Sequence, residues 1–317
     1  MKFTQKYFGL IIIFSLVIGL LCKSPGLFFK EHLILILGVM MALSSLKIDM
    51  RELKHVRSEW WKYVVVLVCV FGLFPLLSLL VRPFLNDQYY IGLLLVVAVP
   101  CAVSVVFLSD FLGGDPSKAL VSTTLAHLFS PFVMPFIIWM LAHKDIGVDV
   151  IGMMWFIAKI IIIPFVIAQI IRTQKKWHDT LVPFSNSVNT YLLFILIWGM
   201  TAPVSHLLFT NAKQVLIMLV ISIFIVCIAV CVAFVFGRNK KERITWAICM
   251  MYRNLGLSSA IAFTMFNSTV ALVPVVYTFV GNAAIAIMQW KTGKNVEGGS
   301  LKFQKIFKFV HSKLFKN

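Results

Sequence analysis

Ten apolar runs follow one another along the 317 residues: 7–21, 32–48, 60–81, 90–112, 117–142, 149–172, 184–205, 213–236, 244–266 and 268–290. Each is close to the ~20 residues a helix needs to cross hydrocarbon. They are continuous rather than alternating, so the pattern predicts membrane helices and not the strands of a barrel. Two runs are broken by residues that a lipid-facing helix avoids. The fourth contains Pro100 and closes on Asp110 and Gly113-Gly114, and the ninth contains Arg253-Asn254-Leu255-Gly256. Divided into 1–143 and 147–291, the chain holds five runs per part, with the breaks at corresponding places. Five spans per part inverts the second part relative to the first, and paired interrupted spans in inverted halves mark the central site of a transporter. The expected fold is an all-α polytopic membrane protein of ten transmembrane helices in two inverted five-helix repeats.

Composition agrees. The chain is 60% hydrophobic and 13% charged, where a soluble domain carries about 25% charged residues. The first run has a basic start, as a secretion signal does, but no small-residue cleavage site, and is expected to be a first span. A net charge of +17 could suggest nucleic acid, yet 22 of the 29 Lys and Arg fall on one side of the ten-span topology and five on the other. That bias is the signature of cytoplasmic loops, and it predicts both termini in the cytoplasm, in the inner membrane for a bacterial protein, with no nucleic acid partner. The remaining two, Lys159 and Arg253, lie inside spans. A tail at 296–317 spaces Phe303, Ile306, Phe307, Val310 and Leu314 helically among lysines, behind a Gly298-Gly299-Ser300 hinge. It is expected to lie on anionic lipid. The six cysteines lie in or beside apolar runs, without the spacing of a disulfide framework or a zinc site.

A guanidinium cannot shed its charge, so Arg253 at the middle of an apolar run needs a partner or a wet cavity. Asp110 is the acid inside the matching break of the first repeat and is its expected partner. Lys159, midway along the sixth run, is a second buried cation. One acid and two cations leave a central cavity net positive, which favours an anionic substrate. If burial instead neutralises Lys159, it becomes a proton carrier, with protons as the coupling ion. Asn254, Ser104 and Thr123 add amide and hydroxyl groups at the breaks and along the fifth run, where Ser122, Thr124, His127 and Ser130 complete a polar stripe. Helix-to-helix bonding accounts for Ser122 and Thr124. No nucleophile–base–acid set, phosphate loop or zinc motif is present, so neither an enzyme nor a cofactor is expected.

Three stretches carry a family resemblance: Leu37-Gly-Val-Met-Met-Ala-Leu-Ser-Ser-Leu-Lys-Ile-Asp-Met50, Pro100 through Pro135 with Gly114-Asp115, and Arg253-Asn254-Leu-Gly-Leu257. Their order and spacing resemble the bile acid:sodium symporter superfamily, which includes arsenite exporters of the same fold. The resemblance implies a panel domain (spans one, two, six and seven) and a core domain (the other six), with spans four and nine unwound and crossing near the midplane. It also implies substrate binding between panel and core and alternating access by motion of one against the other.

The positions that hold sodium in the family fall here on Val105, Val106, Val70, Cys249, Arg253 and Ala119, with only Thr123 keeping a hydroxyl. A hard cation wants several oxygen ligands, so the usual sodium sites are expected to be absent. Cys101 falls on the functional cysteine of the arsenite exporters, and Cys249 lies in the partner crossing helix. The expected function is a secondary transporter of a small organic anion. The site would comprise Arg253, Asn254, Lys159, Asp110, Thr123, Ser104 and Cys101. Two alternatives stand beside it: a metalloid exporter using Cys101, whose soft thiolate suits that cargo, and a non-transporting membrane sensor or scaffold. Two roles for Arg253 also stand, contact with substrate or a structural bridge to Asp110.

Overall fold

The computed structural model describes residues 8–48, 59–142 and 148–292. The basic tail and its hinge lie outside the described residues. The described chain is helical with no strand. In order the helices are α1 (Phe8–Leu21), α2 (Lys23–Glu31), α3 (Leu33–Ser45), α4 (Trp60–Phe84), α5 (Asp87–Ala98), α6 (Val105–Leu112) and α7 (Pro116–Leu141). There follow α8 (Val150–Thr173), α9 (Lys175–Thr201), α10 (Ser205–Thr210), α11 (Ala212–Phe236), α12 (Lys240–Met251), α13 (Leu255–Met265) and α14 (Ser268–Thr292). Among the described residues six segments are long and apolar enough to cross a membrane: α4, α7, α8, α9 with α10, α11 and α14. A seventh forms if Ile11–Leu21 and Lys23–Glu31, bent by 106°, count as one span. The sequence pattern left 22–31 between spans, whereas the structure makes it α2, packed on α9.

The helices sort into two groups by their contacts. Helices α1, α2, α3, α8 and α9 pack on one another, while α4 to α7 pack with α11 to α14; the two groups are joined by close packing of α7 on α8 and by contacts of α13 with α3 and α9. Within the second group α4 is not uniform. Its Cys69–Leu73 segment is a π-turn, closed by the Phe74 amide donating to the Cys69 carbonyl. Pro75, whose ring would crowd the preceding turn of a regular helix, follows at once. The widened turn sets Phe74 fully inside the core.

Turns are built where the residues demand them. Gly113 ends α6 at φ 84°, a left-handed conformation that suits glycine, and its amide donates to the Asp110 carbonyl. Gly114 then passes so close to Ser109 and Thr245 that a Cβ would lie 2.5 Å from the Ser109 hydroxyl. Asp115 caps α7 by accepting from the Lys118 amide, with Pro116 in the first turn.

One end of the second group is clamped by charge. Lys62, 1% exposed, donates to Glu59 and to Glu242, each at 2.6 Å, and Lys118 bridges the same two carboxylates. The Thr245 hydroxyl joins the clamp, accepting from the Asp115 amide at 2.7 Å and bonding Ser109. Thus the starts of α4, α7 and α12 are tied together. Burial alone would raise the Glu242 carboxyl, but hydrogen bonds from Lys118 and Lys62 overcome it and hold it down to about 2. Glu59 is held below its ordinary value chiefly by hydrogen bonds from the same two lysines.

A depressed carboxylate stabilises the fold fully above its ordinary value of 4.5 and loses that contribution as the pH falls toward the folded value. The detergent-solubilised protein should therefore lose thermal stability as the pH is lowered from about 5 to about 3. Glu242→Gln should flatten that profile. It should also cost about 3–5 kcal/mol at neutral pH, because it leaves Lys62 buried without its full charge complement. Thermal melts across the pH range check both.

Candidate functional site

The two interrupted segments meet. The amide of Ala102 donates to the Tyr252 carbonyl and the amide of Asn254 to the Pro100 carbonyl, both at 2.9 Å, forming an antiparallel bridge between Cys101 and Arg253. Backbone left unpaired by the ends of α5 and α12 is thereby satisfied inside the protein, as a membrane interior requires. Pro100 holds Val99 extended, with ψ 144°, and α5 stops there. The starts of α6 and α13 converge on the same place, and with them the positive ends of their helix dipoles.

Arg253 is 2% exposed, and its guanidinium packs on residues of the second helix group. Its Nη1 donates to the Val99 carbonyl at 3.3 Å, and its guanidinium lies over the Phe74 ring, 4.7 Å from the centroid. Tyr277 and Cys101 stand beside it, and Nε and Nη2 are buried without a hydrogen-bond partner. The expected bridge to Asp110 is not made. One position along α6 from the buried Ser109, the helix has rotated by about 100°, and Asp110 is exposed. Lys159 is also displaced from its expected place. It is exposed on the same face of α8 as Trp155 and Ile163, while Ile157, Ile160 and Ile161 are buried.

A cavity of about 350 Å³ lies between the two helix groups, against the crossing. Ser104 and Thr123 line it, with Val106 beside them. Its walls are otherwise mostly apolar, from Met40 and Met41 of α3 to Ile161 and Phe165 of α8 and Leu193 of α9. The polar groups from the far wall are Ser44, Ser45, Lys47, Asn186, Asn189 and Thr190. Lys47 donates to the Asn186 side-chain carbonyl, and Asn189 donates to Ser44 at 2.7 Å. The ionisable lining groups are Lys47 and His127, and no carboxylate lines the cavity among the described residues. A second, smaller space of about 50 Å³ lies against Arg253 and Asn254. Met40, Val103, Ser104 and Leu193 line both.

His127 joins the larger cavity to the crossing. Its Nδ1 bonds the Thr123 carbonyl at 2.7 Å, which makes Nδ1 the donor and leaves Nε2 as the acceptor for the Asn254 amide at 3.4 Å. The other side of that amide accepts from Leu257 and caps α13. Cys101 is buried behind this contact, its thiol donating to the Thr123 hydroxyl at 3.3 Å, and it does not line the cavity. Val70, Val105, Ala119 and Cys249 are buried around the same crossing. With Arg253 and Val106 they form a set that fits a sodium ion poorly, since Thr123 brings its one side-chain hydroxyl and the guanidinium repels a cation. No group of three His, Cys, Asp or Glu able to hold a metal occurs among the described residues.

The model of the sodium bile acid symporter family matches residues 34–218. The chain belongs to that family. The matched stretch includes the cavity residues of α3, α6, α7, α8 and α9 and the first arm of the crossing, but not Arg253. An uncharacterized protein of Pseudomonas aeruginosa is also similar, 25% identical over 261 residues, which is 76% of each chain. Lys47, Asn186 and His127 of this symporter-family protein were not among the site residues expected from sequence. A signal for the α9 wall was present: Asn186, Asn189 and Thr190 recur at helical spacing, although Ser185 and Ser187 beside them spread the polar positions around the helix.

Because Asn254 caps α13 and satisfies His127 at once, Asn254→Ala should destabilise the protein by about 1–2 kcal/mol. Asn254→Ser restores the cap alone and should recover part of that loss. Thermal melts of the two variants beside the parent protein check the order.

Proposed function

We propose that this symporter-family protein is a secondary transporter of a small organic anion. The observation that carries the reading is the cavity of about 350 Å³ between two helix groups, with one lysine and no carboxylate in its described lining. An apolar chamber with a few convergent polar groups is the usual form of a small-molecule site. Here the fixed charge and the converging dipoles of α6 and α13 favour a negative ligand.

The finer architecture follows the same reading. We infer ten crossings in two inverted five-helix repeats, 1–143 and 147–291. The broken pairs α5/α6 and α12/α13 are the fourth and ninth, and the short α3 is the second. The helix groups then serve as panel and core. The charge bias puts the clamped end of α4, α7 and α12, both termini and the 296–317 tail on the cytoplasmic side, the tail on anionic lipid. The large cavity opens toward that side, and the small space beyond Ser104 is the start of the opposite opening. Alternating access exchanges the two by moving one group against the other.

Arg253 takes the part of a resident cation in the core, holding the crossing from behind, so transport proceeds without the usual sodium sites. Ser104, Thr123 and Asn254 stay within reach of the ligand. Arg253 and Cys101 support the crossing, and Asp110 and Lys159 leave the site. The ionisable lining groups, Lys47 and His127, are the ones through which a proton could couple. Metalloid export through Cys101 is disfavoured by its burial and its bond to Thr123. A scaffold that has lost transport has no specific observation in its favour.

Purified protein in liposomes should accumulate a labelled aromatic monocarboxylate by counterflow at equal rates in sodium and in potassium. Arg253→Met should retain the fold and slow that exchange at least tenfold. Exchange that requires sodium would overturn the resident-cation reading. Failure to exchange carboxylates or sulfonates of cavity size would overturn the transporter reading.

A further inference from the structure

We propose that His127 and Asn254 form a proton site at the crossing, through which entry of an anion into the cavity is coupled to one proton. The inference rests on the reading of this cavity as a transport site and names the ion that takes the place of sodium.

Three observations converge. The first is a buried lone pair. His127 is 6% exposed and Asn254 4%. The imidazole gives its Nδ1 proton to the Thr123 carbonyl, so Nε2 presents a basic lone pair to the Asn254 side chain. The second is position. His127 lines the large cavity and Asn254 the small space, and neither residue lines both. A proton held between them is within reach of either space when the helix groups exchange access. The third is charge. Lys47 lines the cavity with His127, Arg253 adjoins Asn254, and no carboxylate lines either space among the described residues.

The other titratable groups leave this balance unchanged. Cys101 bonds the Thr123 hydroxyl. On the helices packed against α7, Cys69 of α4, Tyr89 and Tyr90 of α5 and Cys249 of α12 are buried, while Asp110 of α6 and Lys159 of α8 are exposed. The remaining charges at the helix starts are paired in the clamp. Protonation of His127 alone would add a third positive charge to an enclosed site, at the cost of an unpaired buried charge. An anion in the cavity removes that cost, and by linkage the proton favours the anion to the same degree. The two therefore enter together.

The step is one proton transfer. Nε2 takes a proton from water in the open cavity, an N–H bond forms, and the imidazolium donates from both nitrogens. It then faces Nδ2 of Asn254, which is also a donor. Turning the amide over brings its oxygen to Nε2–H and its NH2 to the Leu257 amide, where two donors meet and the cap of α13 is lost. The Asn254 backbone amide is itself one bond of the crossing, so the proton acts at the start of the helix that the crossing holds. Return of the proton to water on the other side restores both the acceptor and the cap.

The test uses the full-length protein and naphthalene-2-sulfonate, an anion that stays ionised throughout and carries no proton of its own. In weakly buffered detergent micelles a pH indicator reads the protons bound as sulfonate is added. The parent protein should take up about one proton per bound sulfonate at a pH between about 5 and 7, around the ordinary histidine value. Its sulfonate affinity should rise at least fivefold across that range as the pH falls. His127→Gln keeps an acceptor for the Asn254 amide without a titratable group, and it should lose both the uptake and the pH dependence. Asn254→Asp keeps the cap and sets a carboxylate against His127. It should hold the imidazole protonated beforehand and likewise abolish the uptake. In liposomes an inward acid gradient should drive sulfonate accumulation by the parent protein and not by His127→Gln.

Sulfonate binding by the parent protein without proton uptake would overturn the proton site while leaving the transporter reading in place. Uptake that persists in His127→Gln would overturn the assignment to this residue. No binding of sulfonate by the parent protein would overturn both this inference and the organic-anion reading. If His127→Gln does not fold, Asn254→Asp is read in its place, and unchanged uptake in that variant overturns the pair.

Discussion

Two backbone hydrogen bonds, Ala102 to Tyr252 and Asn254 to Pro100, are the contact on which this molecule depends. A helix broken inside a bilayer exposes carbonyls and amides that lipid cannot satisfy. Breaking two helices at one level lets each supply what the other lacks. The two bonds thereby fix the ends of α5 and α12 and the starts of α6 and α13. Polar groups of the crossing are arranged around them: Arg253 behind, Asn254 and His127 to one side, Ser104 in front. The clamp of Lys62, Lys118, Glu59 and Glu242 acts at a distance from the crossing but on the same group of helices, and it keeps the starts of α4, α7 and α12 in register.

The two sides of the crossing differ in chemistry. Behind it lies a closed interior of Phe74, Tyr277 and buried thiols around one guanidinium. In front lies an open apolar chamber with one ammonium at its far end. Both cations sit apart from any described carboxylate, yet they serve different purposes. Arg253 is planar, lies on an aromatic ring and reaches a carbonyl, which suits a permanent brace. Lys47 is a flexible point charge held by an amide, which suits contact with something that comes and goes.

Much of this was legible in the residues. The breaks at Pro100 and Arg253, the polar stripe of α7 and the turn at Gly113-Gly114-Asp115-Pro116 each leave a local mark, because backbone chemistry and helical spacing are local properties. The pairing of Arg253 with Asp110 and the inward placement of Lys159 were inferred from charge alone and failed for one reason. Helical phase decides which way a side chain points, and in a run that is apolar on all sides the phase has no mark in the sequence. Phase was partly readable for α9, where the amides Asn186 and Asn189 share a face with Thr190 that forms the cavity wall, while Ser185 and Ser187 blur its edges. Lys47 was hidden differently. It stands just past a span, where a basic residue is ordinarily explained by topology, and only the fold shows that this turn bends over a chamber.

The wall between the large cavity and the small space is thin, since Met40, Val103, Ser104 and Leu193 belong to both. A partition of four residues is by sterics alone a poor seal against ions. The fixed charge of Arg253, which lines the small space, adds an electrostatic barrier to that steric one, because a cation passing the partition would have to approach a guanidinium that cannot release its proton. The residue that braces the crossing thus also sets a permanent positive charge beside the thinnest part of the wall.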